Sequence, residues 1–163
     1  MLLKDAKILI GDDSILARKQ LKDILSSMGA VRFIEAVNGK ETVEKYIAEK
    51  PDIIFLDIIM PIKDGITAVK EIIAEDPAAQ IIIVSSVGTQ QQLKSAIEAG
   101  AKDFIQKPIN AEQIKEWYRL PKETVAQYTN DGILHAMVLT AVFDGIVLEH
   151  IDLAIPYALA QTR

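Results

Sequence analysis

Asp57 closes a run of apolar residues, Ile53 to Leu56, so its carboxylate stands where a buried strand would emerge into a loop. Two more acids, Asp12 and Asp13, follow a second apolar run, Ile8 to Ile10, and Lys107-Pro108 follows a third, Phe104-Ile105. Clustered carboxylates repel one another and take their protons back unless something positive keeps them ionised. A hard divalent cation does this: Mg²⁺ prefers oxygen ligands, takes one or two carboxylates and keeps positions for water and phosphate. Asp12 and Asp13 can hold such an ion against Asp57, with a backbone carbonyl just after Asp57 completing its shell. An ionised carboxylate beside the metal can then attack phosphorus and form an acyl phosphate. Phosphoryl transfer asks mainly for positioning and charge neutralisation, to which Mg²⁺ and the Lys107 ammonium are suited. Ser85, at the end of the run Ile81 to Val84, adds a hydroxyl donor.

These residues need a frame that brings distant strand ends together. Up to about residue 120 the chain alternates short β-branched runs with amphipathic segments of helical period, the pattern of βαβ units around a parallel sheet. Strands are expected at Lys7 to Ile10, Arg32 to Ala36, Ile53 to Leu56, Ile81 to Val84 and Asp103 to Ile105. The first, third and fourth are apolar almost throughout and are expected at the centre, with helices over both faces. Ser14 can cap a helix to about Met28, with Ile15, Leu21, Ile24, Leu25 and Met28 facing inward and Gly29 closing it. Asn38 can cap a second helix to about Glu49, Gly65 opens a third to about Glu75, and Thr89 starts a fourth that ends at Gly100. A fifth runs from Asn110 to Leu120 before Pro121, with Trp117 and Tyr118 as packing residues. Five β-α repeats point to a doubly wound sheet, in which ligands sit at the carboxyl ends of strands. All five candidate residues lie there.

The bulk composition narrows the function classes. A chain of 163 residues, half of them hydrophobic, can bury a real core. Its net charge of -5 argues against a surface built for nucleic acid or acidic lipid. Zero cysteines exclude disulfides and thiolate metal sites. No signal peptide or bilayer-length apolar stretch is visible, so a cytoplasmic location is expected. His135 and His150 have no second histidine at metal spacing.

Singly, each motif has a blander origin: an acidic pair is more often a cap or solvated turn, and Lys-Pro a common turn start. Together, in order, they carry a resemblance. Asp12-Asp13, Asp57 with Met60-Pro61 and Asp64-Gly65, Ser85-Ser86 and Lys107-Pro108 resemble the receiver domain of bacterial two-component response regulators over residues 1 to 120. The stretch Ala96 to Phe104 is most similar to stand-alone, chemotaxis-type receivers. The resemblance implies a flavodoxin-like α/β fold of strand order 2-1-3-4-5. It implies that Asp57 accepts a phosphoryl group from a histidine kinase, and that Asp12, Asp13, Asp57 and the Ile59 carbonyl bind Mg²⁺. Lys107 would pair with the phosphate, Ser85 would hydrogen-bond it, and Phe104 would change rotamer as the switch aromatic. The fourth helix, fifth strand and fifth helix would form the face for a downstream target. The family's aromatic is often tyrosine, so recognition through a hydroxyl at Phe104 is excluded. Ile59 and Val87 fall at positions lining the approach to the phosphoryl group, and neither can orient a water, so slow self-dephosphorylation is expected.

Such a protein is a signalling module acting only on its own aspartate. A rival is a Mg²⁺-dependent phosphohydrolase with an aspartyl nucleophile, but Ile59 stands where such enzymes carry a second Asp as general acid. Another is a phosphorylation-independent interaction scaffold, which the intact acids, serine and lysine oppose. Residues 121–163 resemble nothing recognisable and form a separate apolar extension, including Ile133, Val138, Phe143, Leu148 and Ile155. The extension is expected to be helical. Its acids outnumber its bases, which excludes a DNA-binding output module. A dimerisation element, a segment docking on the output face and the start of a longer effector domain all remain open readings.

Overall fold

Five parallel strands lie in the order β2-β1-β3-β4-β5. They are β1 (Lys7–Gly11), β2 (Arg32–Ala36), β3 (Ile53–Leu56), β4 (Ile81–Ser85) and β5 (Asp103–Gln106), alternating with α1 (Ile15–Ser27), α2 (Gly39–Glu49), α3 (Gly65–Glu75), α4 (Gln90–Ala99) and α5 (Ala111–Arg119). The structure, a computed structural model, describes residues 1–86 and 89–119. Val87, Leu120, both histidines and the extension 121–163 lie outside the described residues. The sheet order and the central placing of β1, β3 and β4 agree with the sequence reading. A 3-10 turn at Leu3–Asp5 was not expected from it.

Local chemistry sets the helix boundaries. The Ser14 hydroxyl accepts from the Ala17 N–H, and the Asn38, Asp64 and Thr89 side chains accept likewise from Glu41, Thr67 and Gln92. Asp64 is thus the cap of α3, and Gly65 its first residue. Asn110 and Gln113 cap α5 reciprocally, each side chain accepting from the other's N–H. Gly100, at φ 117, closes α4 in the left-handed conformation that glycine adopts freely.

Side-chain alternation along the strands divides the core between the two sheet faces. Leu9, Ile54, Leu56, Ile81 and Ile83 pack with Val69, Ile72, Leu93 and Phe104 beneath α2, α3 and α4. Ile8, Ile10, Phe55, Ile82 and Val84 pack with Leu21, Leu25, Ile114 and Trp117 beneath α1 and α5. Trp117 meets the Phe55 ring edge-on at 5.1 Å. Each such large apolar side chain contributes about 1.5–3 kcal/mol when fully buried.

One inward assignment is overturned. Ile15 is 75% exposed, and the buried stripe of α1 runs instead through Arg18, Leu21 and Leu25. At about 100° per residue Ile15 stands roughly 60–120° around the helix from Arg18, Leu21 and Leu25, so it falls off the buried stripe. Ile24 and Met28 are partly buried against the core, as expected. Among the described residues, no helix is long and apolar enough to cross a membrane.

Candidate functional site

Strand register brings the acids together. Gly11 of β1 lies opposite Leu56 of β3, and the Asp57 N–H donates to the Gly11 carbonyl at 2.9 Å, so Asp12 and Asp57 leave the sheet side by side. Asp12 and Asp57 are buried, Asp13 is exposed, and one carboxylate oxygen from each of the three lies within 4.8 Å of the others. Lys107, just past β5, reaches across to donate to Asp12 Oδ2 at 2.6 Å and Asp57 Oδ2 at 3.3 Å. Burial disfavours its charge, but the Asp12 hydrogen bond and the charges of Asp57 and Asp12 outweigh this and hold the ammonium above the ordinary lysine range. The site therefore holds a fixed positive charge against two buried negative ones.

The loop after β1 is fixed largely by side chains. Asp12 Oδ1 accepts from the Ser14 N–H at 2.9 Å, and the buried Arg18 guanidinium donates to the Asp12 carbonyl at 2.7 Å. Arg18 also pairs with Glu35 at 3.1 Å, and Lys22 meets the other Glu35 oxygen at 3.1 Å. Hydrogen bonding from Lys22 lowers the Glu35 pKa against the opposing effect of burial, with Arg18 adding to it.

The loop after β3 is fixed largely by backbone. The Gly65 N–H donates to the Ile58 carbonyl at 2.7 Å, and the Gly39 N–H of α2 donates to the Lys63 carbonyl at 3.0 Å. These approaches need glycine: a Cβ at Gly65 would lie 2.0 Å from the Asp57 carbonyl oxygen, and one at Gly39 would lie 2.2 Å from that of Lys63. Between them the Lys63 N–H closes a three-residue turn on the Pro61 carbonyl at 2.7 Å, with Ile62 at φ 69. A β-branched residue is rarely found in that region. Asp57 Oδ1 accepts from the Ile58 N–H at 2.7 Å, which sets the carboxylate's orientation. Ile59 stands beside it, 61% exposed.

Ser85 ends β4 fully buried, and Phe104 of β5 is buried in the core beneath α4. The structure thus brings Asp12, Asp13, Asp57 and Lys107 into one cluster and places Ser85 at the same sheet edge. Phe104 lies two residues back along β5, opposite Ile83. Sequence reasoning missed Arg18 and Glu35. The available signal was an arginine on the apolar stripe of α1, in helical register with Leu21 and Leu25.

Acids and a lysine converge at the carboxyl edge of a doubly wound parallel sheet, where α/β domains of this kind bind their ligands. Residues 8–119 match the response regulator receiver domain. The chemotaxis proteins CheY of Thermotoga maritima and Bacillus subtilis are each 48% identical over 110 residues, spanning 68% of this chain and 92% of theirs. The crystal structure of a CheX-CheY-BeF3-Mg²⁺ complex from Borrelia burgdorferi aligns with a TM-score of 0.66 at 38% identity, covering 68% of this chain and 84% of that one. The chain belongs to the response regulator receiver family, whose domains are phosphorylation-activated signalling modules rather than enzymes acting on free substrates.

Proposed function

We propose that Asp57 is the phosphoryl acceptor and that a histidine kinase is its donor. The observation that carries this reading is the convergence of the Asp12, Asp13 and Asp57 carboxylates with the Lys107 ammonium at strand ends that sequence alone leaves far apart. The three acids offer the hard oxygen set that Mg²⁺ prefers, and Asp12, Asp13, Asp57 and the Ile59 carbonyl would hold it. When bound, Mg²⁺ neutralises charge on the phosphoryl oxygens and on the acids.

The chain's own residues then do the following. An Asp57 carboxylate oxygen attacks phosphorus and forms the O–P bond as the P–N bond to the donor histidine breaks, its electron pair staying on that imidazole. Lys107 pairs with the new phosphoryl group, and Ser85 donates its hydroxyl to a phosphoryl oxygen. The added charge of about -1.5 to -2 supplies the differential contacts that shift a two-state equilibrium. Phe104 follows Ser85, and the face made by α4, β5 and α5 changes its affinity for a downstream protein. The CheY relatives make a chemotaxis output, in the cytoplasm, the favoured setting. The exposed Ile59 beside Asp57 offers no group to orient an attacking water, which favours slow loss of the phosphoryl group.

Incubation with acetyl phosphate, or with beryllofluoride, and Mg²⁺ tests the central reading. The wild-type chain should respond and Asp57→Ala should not; a silent wild type overturns it. Residues 1–120 act as the receiver and residues 121–163 as a dimerisation element in this reading. Light scattering should show a dimer for the whole chain and a monomer for residues 1–120. Monomers in both would remove the dimer proposal.

A further inference from the structure

We infer that Arg18 is a positioning residue for the metal-binding acids: its guanidinium, aimed by Glu35, holds the Asp12 backbone where the Asp12 carboxylate can bind Mg²⁺. This rests on the proposed reading that Asp12, Asp13 and Asp57 hold the ion. Arg18 is only 8% exposed and occupies a stripe position that Leu21 and Leu25 fill with hydrocarbon. A buried charge there is costly unless paired and hydrogen-bonded. Its Nη1–H donates to the Asp12 carbonyl at 2.7 Å and its Nε–H to Glu35 Oε1 at 3.1 Å, so one rigid plane ties β1 to β2.

Glu35 is itself fixed. It lies opposite Ile10 in the parallel register, Lys22 holds its second oxygen at 3.1 Å, and Lys45 donates to its backbone carbonyl. The Asp12 carbonyl is thereby clamped on one side, while Ser14 and Lys107 orient the carboxylate on the other. Groups that orient a ligand without touching the metal set affinity through geometry. Lysine cannot replace the arginine, because a single ammonium lacks the fixed fork that serves both acceptors at once.

Titration calorimetry of Mg²⁺ into the full chain, with a thermal melt of each protein, compares the parent with Arg18→Met, Arg18→Lys and Glu35→Gln. The Mg²⁺ dissociation constant should rise on the order of tenfold in both Arg18 variants and less in Glu35→Gln. Labelling by acetyl phosphate should fall at low Mg²⁺ and return near the parent rate at saturation. Unchanged Mg²⁺ affinity in all three variants overturns the inference, whatever the melts show. Should the Arg18 variants fail to fold, Glu35→Gln decides, since the Glu35 side chain is 40% exposed and tolerates the change. A parent that binds no Mg²⁺ overturns both this inference and the reading of the site. A binding parent with unaffected variants overturns the inference alone.

Discussion

After β1, Asp12 is steadied by side-chain groups: the Arg18 guanidinium on its carbonyl, Lys107 on its carboxylate, and Glu35 behind Arg18. After β3, Asp57 is steadied by main chain: its own Ile58 N–H, Gly65 pressed against its carbonyl, and Gly39 holding the far side of the loop. Charge anchors respond to pH and salt, because solvent screens them and protons remove them. Close backbone approach responds to neither, but cannot admit one methyl group. Asp12 therefore leans mainly on charge, whereas Asp57, though Lys107 reaches it too, leans mainly on backbone.

The largest expected effect falls on the backbone side. Gly65→Ala should cost about 3 kcal/mol, because the new Cβ would meet backbone, the Asp57 carbonyl and the Ile58 Cα, and no flexible side chain that could give way. A urea midpoint close to the parent's would show that the loop yields, and would erase the contrast. Next in size is the exposed Ile59. Ile59→Asn gives the loop a group able to orient water, and about 1.4 kcal/mol of such help speeds acyl phosphate loss tenfold. A decay time course on the labelled protein measures it; an unchanged rate would remove Ile59 from the account of slow turnover.

Strain in the same loop predicts a gain. Ile62→Gly should stabilise the fold by roughly 1 kcal/mol, relief of the left-handed φ exceeding the entropy that glycine adds to the unfolded chain. A fall in thermal midpoint would mean that the Ile62 side chain makes up for its backbone. The smallest effect belongs to the charged side. The Glu35 pKa is lowered in the folded chain, so its contribution is fully present above the unfolded value near 4.5 and is lost as pH falls through the folded value. Its 40% exposure keeps that contribution below about 1 kcal/mol. Glu35→Gln should thus be slightly less stable than the parent at pH 7, with the gap closing as pH falls through the lowered folded value. A gap that widens in acid would reverse the assignment.

Most of the frame was legible because its causes are local. Ser14, Asn38 and Thr89 cap helices through bonds to residues three positions along, and β1, β3 and β4 announce burial on both faces by being apolar almost throughout. Ile15 misled because it is apolar, although its angle around the helix sets it roughly 60–120° from the stripe through Arg18, Leu21 and Leu25. The site acids were legible because each ends an apolar run, and a carboxylate at such a place has few other uses once several coincide. Glu35 gave no such signal, since one acid in a partly exposed edge strand is ordinary until its partner is known.

The sequence by itself determined the alternation of strands and helices, their caps, and the set of Asp12, Asp13, Asp57, Ser85 and Lys107 at strand ends. Hydrophobic period and capping act between near neighbours on the chain, so a linear reading reaches them. Only the tertiary structure decided that Arg18 meets the Asp12 carbonyl and Glu35, that Gly65 abuts Asp57, and that Ile62 carries a left-handed turn. Those facts depend on which strands are adjacent, how each helix is rotated over them, and how far a loop must bend to close. Such quantities are fixed by the packing of the whole sheet, and no local segment contains them.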